Sequence, residues 1–145
     1  MTWASVNIDK ARINGIELEW DGLITAGLLK NWEMGTSLML SDPIDKSTNN
    51  RLPRRSKEVV QLDLNRRHQS SRYGLNLQYH GSRYDDKANS SRLDSYSLIH
   101  GYFAYDLNSF WTIRTEVNNV LDEVYATAKD YREPGRAWFL RLQYQ

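Results

Sequence analysis

The chain has 145 residues, so one domain is the first expectation. The 19 lysines and arginines nearly balance the 18 aspartates and glutamates, and the net charge of +1 argues against a nucleic-acid-binding protein, which needs a basic excess. The absence of cysteine excludes a disulfide framework and any thiolate metal site.

The hydropathy pattern excludes membrane helices but not membrane strands. No run approaches the ~18 apolar residues of a membrane helix, and the mean hydropathy is −0.69. Strands of a transmembrane barrel alternate in polarity, so their average hydropathy stays low. A content of 5 Trp and 9 Tyr with 3 Pro favours an all-β chain. The first residues lack the features of a signal peptide, so we expect a mature chain, part of a longer one, or a protein that is not exported.

Apolar and polar residues alternate along most of the chain, and this period of two predicts β-strands with one apolar and one polar face. In chain order, the predicted strands cover residues 3–20, 28–40, 60–65, 73–80, 96–107, 111–118 and 137–145. For the fifth strand, we assign Ile99, Phe103, Tyr105 and Leu107 to the outward face and His100 and Tyr102 to the inward face. The predicted fold class is all-β, an antiparallel up-and-down meander of about seven long strands.

The predicted connections alternate in length. Short turns follow the first, third and fifth strands, beginning at residues 21, 66 and 108, and long polar loops follow the others, at 41–51, 81–92 and 119–136. Aromatic residues lie beside the short turns and at the end of the last strand: Trp20, Tyr73, Tyr105, Phe110, Trp111 and Tyr144. Both features are typical of outer-membrane barrels, which have short periplasmic turns, long outer loops and aromatic girdles.

Several motifs follow one another in a specific order. The stretch after the sixth strand contains Asn119, Leu121, Asp122, Tyr125, Tyr131, Pro134, Gly135 and Arg136. Earlier elements are Lys10 to Glu17, Leu52-Pro53-Arg54-Arg55 and Arg83-Tyr84-Asp85. Together they resemble the C-terminal end of TonB-dependent outer-membrane receptors.

This resemblance implies a location in the outer membrane of a Gram-negative bacterium, in contact with lipid and lipopolysaccharide. It also implies that the sheet is part of a transmembrane β-barrel. Such transporters use about 22 strands, so residues 1–145 are expected to be the C-terminal portion of the barrel. The plug domain and the segment that engages TonB are then absent, and we expect the chain to be a fragment or a truncated product that transports nothing alone.

Within the family, the run from Leu52 onward most resembles the cobalamin (vitamin B12) receptors. The resemblance implies that Arg54 contacts the bound corrinoid; alternatively, Arg54 and Arg55 anchor the strand at the level of the lipopolysaccharide. A family tyrosine corresponds to Ala88 here, and the candidate substitutes are Tyr84, Asp85 and Asn89. Siderophore receptors share most of these motifs, so a ferric-siderophore or haem receptor is the alternative.

Two other classes of protein are the rivals of this interpretation. An enzyme is not expected, because His68, His80 and His100 are scattered and no catalytic motif is present. We predict no catalytic residue, no metal ligand set and no cofactor. A soluble lipocalin-like binding module is the stronger rival, since it has the same alternation. The two differ in whether Trp32, Leu77 and Trp138 face lipid or a protein core.

Overall fold

The structure is a computed structural model that describes residues 10–145. Its eleven strands are β1 Ala11–Leu23, β2 Glu33–Asp45, β3 Glu58–His68, β4 Ser71–His80, β5 Arg83–Tyr84, β6 Arg92–Leu93, β7 Tyr96–Asp106, β8 Trp111–Asn118, β9 Ala126–Ala128, β10 Tyr131–Arg132 and β11 Ala137–Tyr144. Seven form one antiparallel sheet in the order β1-β2-β3-β4-β7-β8-β11. Within residues 10–145 there is no helix long and apolar enough to cross a membrane. The predicted all-β meander of seven strands is confirmed.

The second predicted strand was placed wrongly. Residues 24–32 form a turn in which the N–H of Ile24 donates to the carbonyl of Trp32 at 2.8 Å. Gly27 and Asn31 adopt left-handed backbone conformations, with φ of 76° and 68°, which end the extended chain. The strand therefore begins at Glu33 and continues to Asp45, through residues that were predicted as a loop.

The short turn that was predicted to begin at residue 66 begins three residues later, at residue 69. Strand β3 continues through His68 and pairs with β4 until the pair His68 and Ser71. Gln69, with φ of 52°, supplies the left-handed conformation that this tight turn needs. For the first strand, the predicted residues 3–9 lie outside the part of the chain that the structure describes.

The sheet has an apolar face and a polar face, as the alternation predicted. One row of paired residues crosses the apolar face: Met34, Leu64, Leu75, Gly101, Val117 and Trp138. The facing assigned to the fifth predicted strand is confirmed within β7, since the Tyr102 hydroxyl donates to Asn65 Oδ1 at 2.9 Å on the polar face, whereas Leu107 lies in the turn after the strand. Phe103, on the opposite face, pairs with Tyr73 and Thr115.

No second layer covers the apolar face within residues 10–145. Trp138 is 73% exposed and Leu140 is 70% exposed, although both are large apolar side chains. Apart from Ala104 near the other end of β7, the buried apolar side chains of the described residues lie at the end of the sheet that carries the long connections: Pro43, Leu52, Leu93, Tyr96 and Leu98. In the described part of the chain, the sheet therefore has no apolar core of the kind that a soluble sandwich or barrel requires.

The predicted alternation of short and long connections is confirmed. Residues 24–32, 69–70 and 107–110 connect strands at one end, which we call the short-turn end. Residues 46–57, 81–95 and 119–136 connect strands at the other, the long-loop end. Two of these long connections contain small hairpins, β5 with β6 and β9 with β10, where the sequence predicted loops alone.

Candidate ligand site at the long-loop end

Arg54 lies in the connection between β2 and β3, in a left-handed conformation with φ of 58°. Its N–H donates to the carbonyl of Tyr84 at 2.6 Å. Its Nε donates to Asp85 Oδ1 at 2.7 Å, while 52% of the Arg54 side chain stays exposed. The main chain and one guanidinium nitrogen are thus fixed by the 81–95 connection, and the rest of the side chain faces open space.

Asn89 joins the same two connections through its amide group. The N–H of Arg51 donates to Asn89 Oδ1 at 2.8 Å, and Asn89 Nδ2 donates to the carbonyl of Arg51 at 3.0 Å. The backbone of Asn89 is left-handed, with φ of 58°. Both polar atoms of the amide are therefore engaged by one backbone residue, which is a geometry for holding loops together.

Tyr84 is the fourth predicted site residue. The guanidinium carbon of Arg51 lies 5.8 Å from the centre of the Tyr84 ring, and Tyr84 pairs with Arg92 in the β5–β6 hairpin. All four predicted residues belong to one contact region between residues 46–57 and 81–95, which we call the loop junction. It consists of Arg51, Arg54, Tyr84, Asp85 and Asn89.

A second aspartate shapes the 81–95 connection. Ser91 N–H donates to Asp86 Oδ1 at 2.7 Å, and the Ser90 N–H and hydroxyl both donate to Asp86 Oδ2. The Ser91 hydrogen bond, followed by those from Ser90, holds the pKa of Asp86 below its usual value of 3.8, although burial acts in the opposite direction. The ionised carboxylate therefore fixes the turn beside Asp85 and Asn89.

A cavity of about 540 Å³ lies beside the loop junction, on the polar face of the sheet. We call it the mouth cavity. It is lined by side chains from the strand ends and the long connections, including Ser41, Arg54, Arg55, Ser56, His80, Arg83 and Tyr96. Three arginines supply hydrogen-bond donors beside apolar side chains that include Ile13, Met39 and Val59, while the hydroxyls of Ser41 and Ser56 already donate to backbone carbonyls. The surface therefore suits a ligand that combines apolar parts with carbonyl, carboxylate or phosphate oxygens.

Arg83 is the most buried charge of the mouth cavity, with 4% of its surface exposed. Its Nη2 donates to the carbonyl of Ala126 at 2.7 Å, and its guanidinium carbon lies 5.1 Å from the centre of the Tyr96 ring. The Tyr96 ring in turn lies 4.9 Å from His80 and 4.5 Å from Tyr125, measured between centroids. The Nη1 atom of Arg83 has no hydrogen-bond partner within residues 10–145.

The sequence did not predict four residues of this cavity as site residues: Arg55, His80, Arg83 and Tyr96. Arg55 was considered only as an alternative anchor. His80 could have been found, because its position in the alternation of β4 assigns it to the polar face at the outer strand end. Arg83 could not, since its burial depends on contacts with Ala126 and Tyr96, which lie far along the chain.

The polar face beyond the cavity carries a hydrogen-bonded network rather than a metal site. Asn76 Nδ2 donates to Asp63 Oδ1 at 2.7 Å, and Arg114 Nε lies 2.5 Å from Glu116 Oε1. The Arg114 guanidinium carbon lies 4.1 Å from the centre of the Tyr102 ring. Among the residues that the structure describes, no group of three or more His, Asp or Glu side chains could hold a metal ion.

Comparisons with known proteins agree with these features. Residues 1–120 match the family model described as TonB dependent receptor-like, beta-barrel. The chain is 28% identical over 143 residues to the vitamin B12 transporter BtuB of Photobacterium profundum, and 31% identical over 150 residues to that of Vibrio vulnificus. Each match covers 99% of this chain but 23% of the relative, so the chain spans about a quarter of the length of these relatives.

Solved structures share the fold. The siderophore receptor PiuA from Acinetobacter baumannii superposes with a TM-score of 0.79 at 22% identity, covering 92% of this chain and 22% of that structure. The copper transporter OprC superposes with a TM-score of 0.73 at 18% identity, over 92% of this chain and 24% of the other. At these identities the superpositions establish the fold alone.

Proposed function

Because this chain belongs to the family of TonB-dependent receptor β-barrels, we propose that the protein takes up cobalamin across the outer membrane. The family consists of transporters and receptors in the outer membrane of Gram-negative bacteria, and this chain is an outer-membrane β-barrel segment. Its apolar face lies against lipid and its polar face against the lumen. The soluble lipocalin-like alternative is therefore wrong, in agreement with the uncovered Trp138.

The similarity to the vitamin B12 transporters, which covers 99% of this chain, is the observation that carries the cobalamin proposal. The short-turn end is periplasmic in this family, so the mouth cavity faces the outside of the cell. Cobalamin offers amide groups and a phosphate to such a surface. The donors of Arg54 and Arg55 at the mouth cavity match those acceptors.

Each predicted site residue receives a separate role in this proposal. Arg54 donates hydrogen bonds to the ligand, while Asp85 fixes the direction of its guanidinium group through the 2.7 Å contact. Tyr84 offers a ring face at the loop junction, where it also contacts Arg51. Asn89 holds the 46–57 and 81–95 connections in register. Arg54 and Tyr84 thus contact the ligand, and Asp85 and Asn89 position them.

A ferric-siderophore or haem receptor is the second candidate. It is favoured by the buried guanidinium group of Arg83 at the mouth cavity, which no carboxylate pairs with in residues 10–145. Positive charge in a cavity favours an anionic ligand, as many siderophore complexes are. The fold shared with the receptor PiuA is compatible with both candidates.

The proposal concerns a whole receptor, of which this sheet is one part. Strands β1 and β11 form the two edges of the described sheet, and unpaired strand edges in hydrocarbon cost several kcal/mol per group. We therefore assign the C-terminal portion of the barrel to this chain, with the remaining strands, the plug domain and the TonB-binding segment supplied by other parts of the receptor. Transport by residues 10–145 alone is not expected.

Cyanocobalamin binding to the full-length receptor tests the proposal. We expect saturable binding that the Arg54→Ala variant weakens about tenfold, as for the loss of a charge-assisted hydrogen bond. The matched control is Arg132→Ala, which removes an exposed arginine from the neighbouring β9–β10 hairpin. Ferric siderophores and haem are titrated in parallel. Saturable binding of one of these without cyanocobalamin binding would overturn the cobalamin assignment in favour of the second candidate.

A further inference from the structure

The apolar face carries a groove of about 320 Å³ near the short-turn end. In the row that crosses the sheet there, Gly101 has no side chain, whereas its paired neighbours Leu75 and Val117 both project from the surface. Phe103 and Tyr73 line the same groove. A depression one residue wide therefore runs across a surface that is otherwise covered by apolar side chains.

One end of this groove meets an aromatic and basic cluster. Trp32 lines the groove and packs edge-to-face on Tyr73, with ring centroids 5.4 Å apart. The guanidinium carbon of Arg66 lies 6.0 Å from the centre of the Trp32 ring, and Arg66 is paired directly with Tyr73 across β3 and β4. The apolar groove is thus continuous with a cation at the level of the short turns.

The positive charge of Arg66 is not neutralised by the described part of the chain. Its Nε is buried and has no hydrogen-bond partner there, and none of the ion pairs found in residues 10–145 includes Arg66. The same side of the sheet faces lipid, where an unpaired guanidinium group is costly unless an anion accompanies it. Charge complementarity therefore calls for an anionic group beside the Trp32 ring.

We propose that this surface binds one anionic phospholipid of the inner leaflet, with its phosphate on Arg66 and an acyl chain in the groove at Gly101. The short-turn end is periplasmic, so Arg66 lies at the level of the inner-leaflet headgroups. A phosphate accepts two hydrogen bonds from the planar guanidinium group. The inference rests on the outer-membrane barrel family and does not depend on which ligand the receptor transports.

Native mass spectrometry of the full-length receptor with phosphatidylglycerol tests the site, with phosphatidylcholine as the zwitterionic comparison. We expect one phosphatidylglycerol to remain bound. Arg66→Ala should weaken its retention about tenfold, corresponding to the loss of a charge-assisted hydrogen bond. Arg66→Lys should keep most of it, because the charge is preserved. The matched control is Arg67→Ala, which removes the adjacent arginine from the opposite face of β3.

The groove is tested separately with Gly101→Leu, which fills the depression; its Cβ would meet the Leu75 side chain at 3.4 Å, an ordinary contact distance. This variant should lower phosphatidylglycerol retention while leaving the aromatic cluster intact. Equal losses in Arg66→Ala and Arg67→Ala, or equal retention of phosphatidylcholine, would overturn the proposal by showing a diffuse lipid belt. Retention of lipopolysaccharide instead of phosphatidylglycerol would also overturn it.

Cyanocobalamin binding is measured on the same samples. We expect it to be unchanged in Arg66→Ala and Gly101→Leu, because neither residue lines the mouth cavity. A receptor that binds phosphatidylglycerol at Arg66 but not cyanocobalamin would refute the proposed function alone. A receptor that binds cyanocobalamin but shows no dependence on Arg66 would refute the lipid site alone.

Discussion

The Nε atom of Arg54 lies 2.7 Å from Oδ1 of Asp85, across the junction between two long connections. The N–H of Arg54 also donates to the carbonyl of Tyr84, the residue before Asp85. With its backbone in the left-handed conformation, Arg54 is thus held at both ends by the same short segment. The direction of the guanidinium group is consequently determined by Asp85, so the two residues act together in any ligand contact at the mouth cavity.

We expect Asp85→Asn to weaken ligand binding about three- to tenfold, because the neutral amide holds the guanidinium group less firmly. The free energy of unfolding should change by about 1 kcal/mol, since half of the Arg54 side chain stays exposed to solvent. Ligand titration and thermal unfolding of the full-length receptor measure the two effects. Asp94→Asn, which changes an exposed carboxylate of the same connection, is the control and should alter neither quantity.

A result that contradicts this prediction would be tighter binding by Asp85→Asn. It would mean that Asp85 competes with the ligand for Arg54 instead of orienting it. In the receptor without ligand, Asp85 would then hold the Arg54 guanidinium group, and ligand binding would have to break this ion pair.

Asn89 is predicted to stabilise the loop junction and not to select the ligand. Asn89→Gly preserves the left-handed backbone but removes both amide hydrogen bonds to Arg51, so it isolates the side-chain contribution. We expect local opening of the junction to become easier by about 1–2 kcal/mol, seen as faster hydrogen exchange of the Arg51 amide. A receptor whose loop junction is closed should still bind the ligand. The binding free energy should therefore weaken by no more than the roughly 1–2 kcal/mol by which opening of the junction becomes easier.

The control for this experiment is the amide of Leu75, in the middle of β4, whose exchange should not change. If Asn89→Gly abolished ligand binding while the Arg51 amide stayed protected, Asn89 would be a direct ligand contact. The resemblance offered Asn89 as a ligand contact, and the hydrogen bonds to Arg51 favour a positioning role instead.

The turn held by Asp86 is predicted to withstand mild acid. Because the pKa of this carboxyl is lowered in the folded chain, its contribution to stability is present above the usual value of 3.8 and is lost as pH falls through the lower, folded value. Protease cleavage in residues 85–91 of the intact receptor should therefore stay slow at pH 5 and increase only below about pH 4. Asp86→Asn should remove this pH dependence; an unchanged profile in that variant would assign it to another group.

The sequence predicted the sheet well because polarity alternates with the pleat, and each face meets a different environment. The prediction failed where charged or turn-forming residues occur at positions that the strand pairing nevertheless keeps in the sheet. Arg66 and Arg67 were interpreted as part of a turn, yet the ladder continues through them to His68 and Ser71. Charged residues can continue a barrel strand where it ends at the membrane interface. The turn boundary was predicted from these charges, and it was therefore wrong.

A similar error in β2 concerns the residues around Pro43, which were predicted as a polar loop. Proline normally excludes an interior strand position, since it removes a ladder hydrogen bond. Here the pairing of β2 with β3 ends at Leu40 and Glu58, and at Pro43, opposite Ile13 of β1, the following connection folds back along β2 in place of β3. The N–H of Leu52 donates to the carbonyl of Pro43 at 2.9 Å. This contact does not use the N–H that proline lacks, and the strand continues to Asp45.

The candidate site was predictable only in part. Motif order identified Arg54, Tyr84, Asp85 and Asn89, and the structure brings them together at one junction. The order of the motifs did not indicate that Arg83 is buried. The burial of Arg83 depends on its contact with the carbonyl of Ala126, in a hairpin that is distant along the chain. Long connections that fold against one another follow no periodic pattern, so their contacts are invisible to an analysis of alternation.

The two faces of the last strand give the most direct test of the membrane arrangement. Leu140 is 70% exposed on the apolar face, and Arg141, the next residue, lies on the polar face. Since this chain contains no cysteine, Leu140→Cys and Arg141→Cys each introduce one thiol into this segment for a spin label. In the reconstituted receptor we expect the label at position 140 to collide mainly with oxygen, which concentrates in lipid. The label at 141 should collide mainly with a water-soluble nickel chelate or be shielded from both by contacts in the lumen.

Adjacent positions form their own matched control, because they share depth and differ only in face. Equal access of the nickel chelate at both positions would mean that the apolar face is not in lipid, and it would contradict both the barrel orientation and the phospholipid site at Arg66.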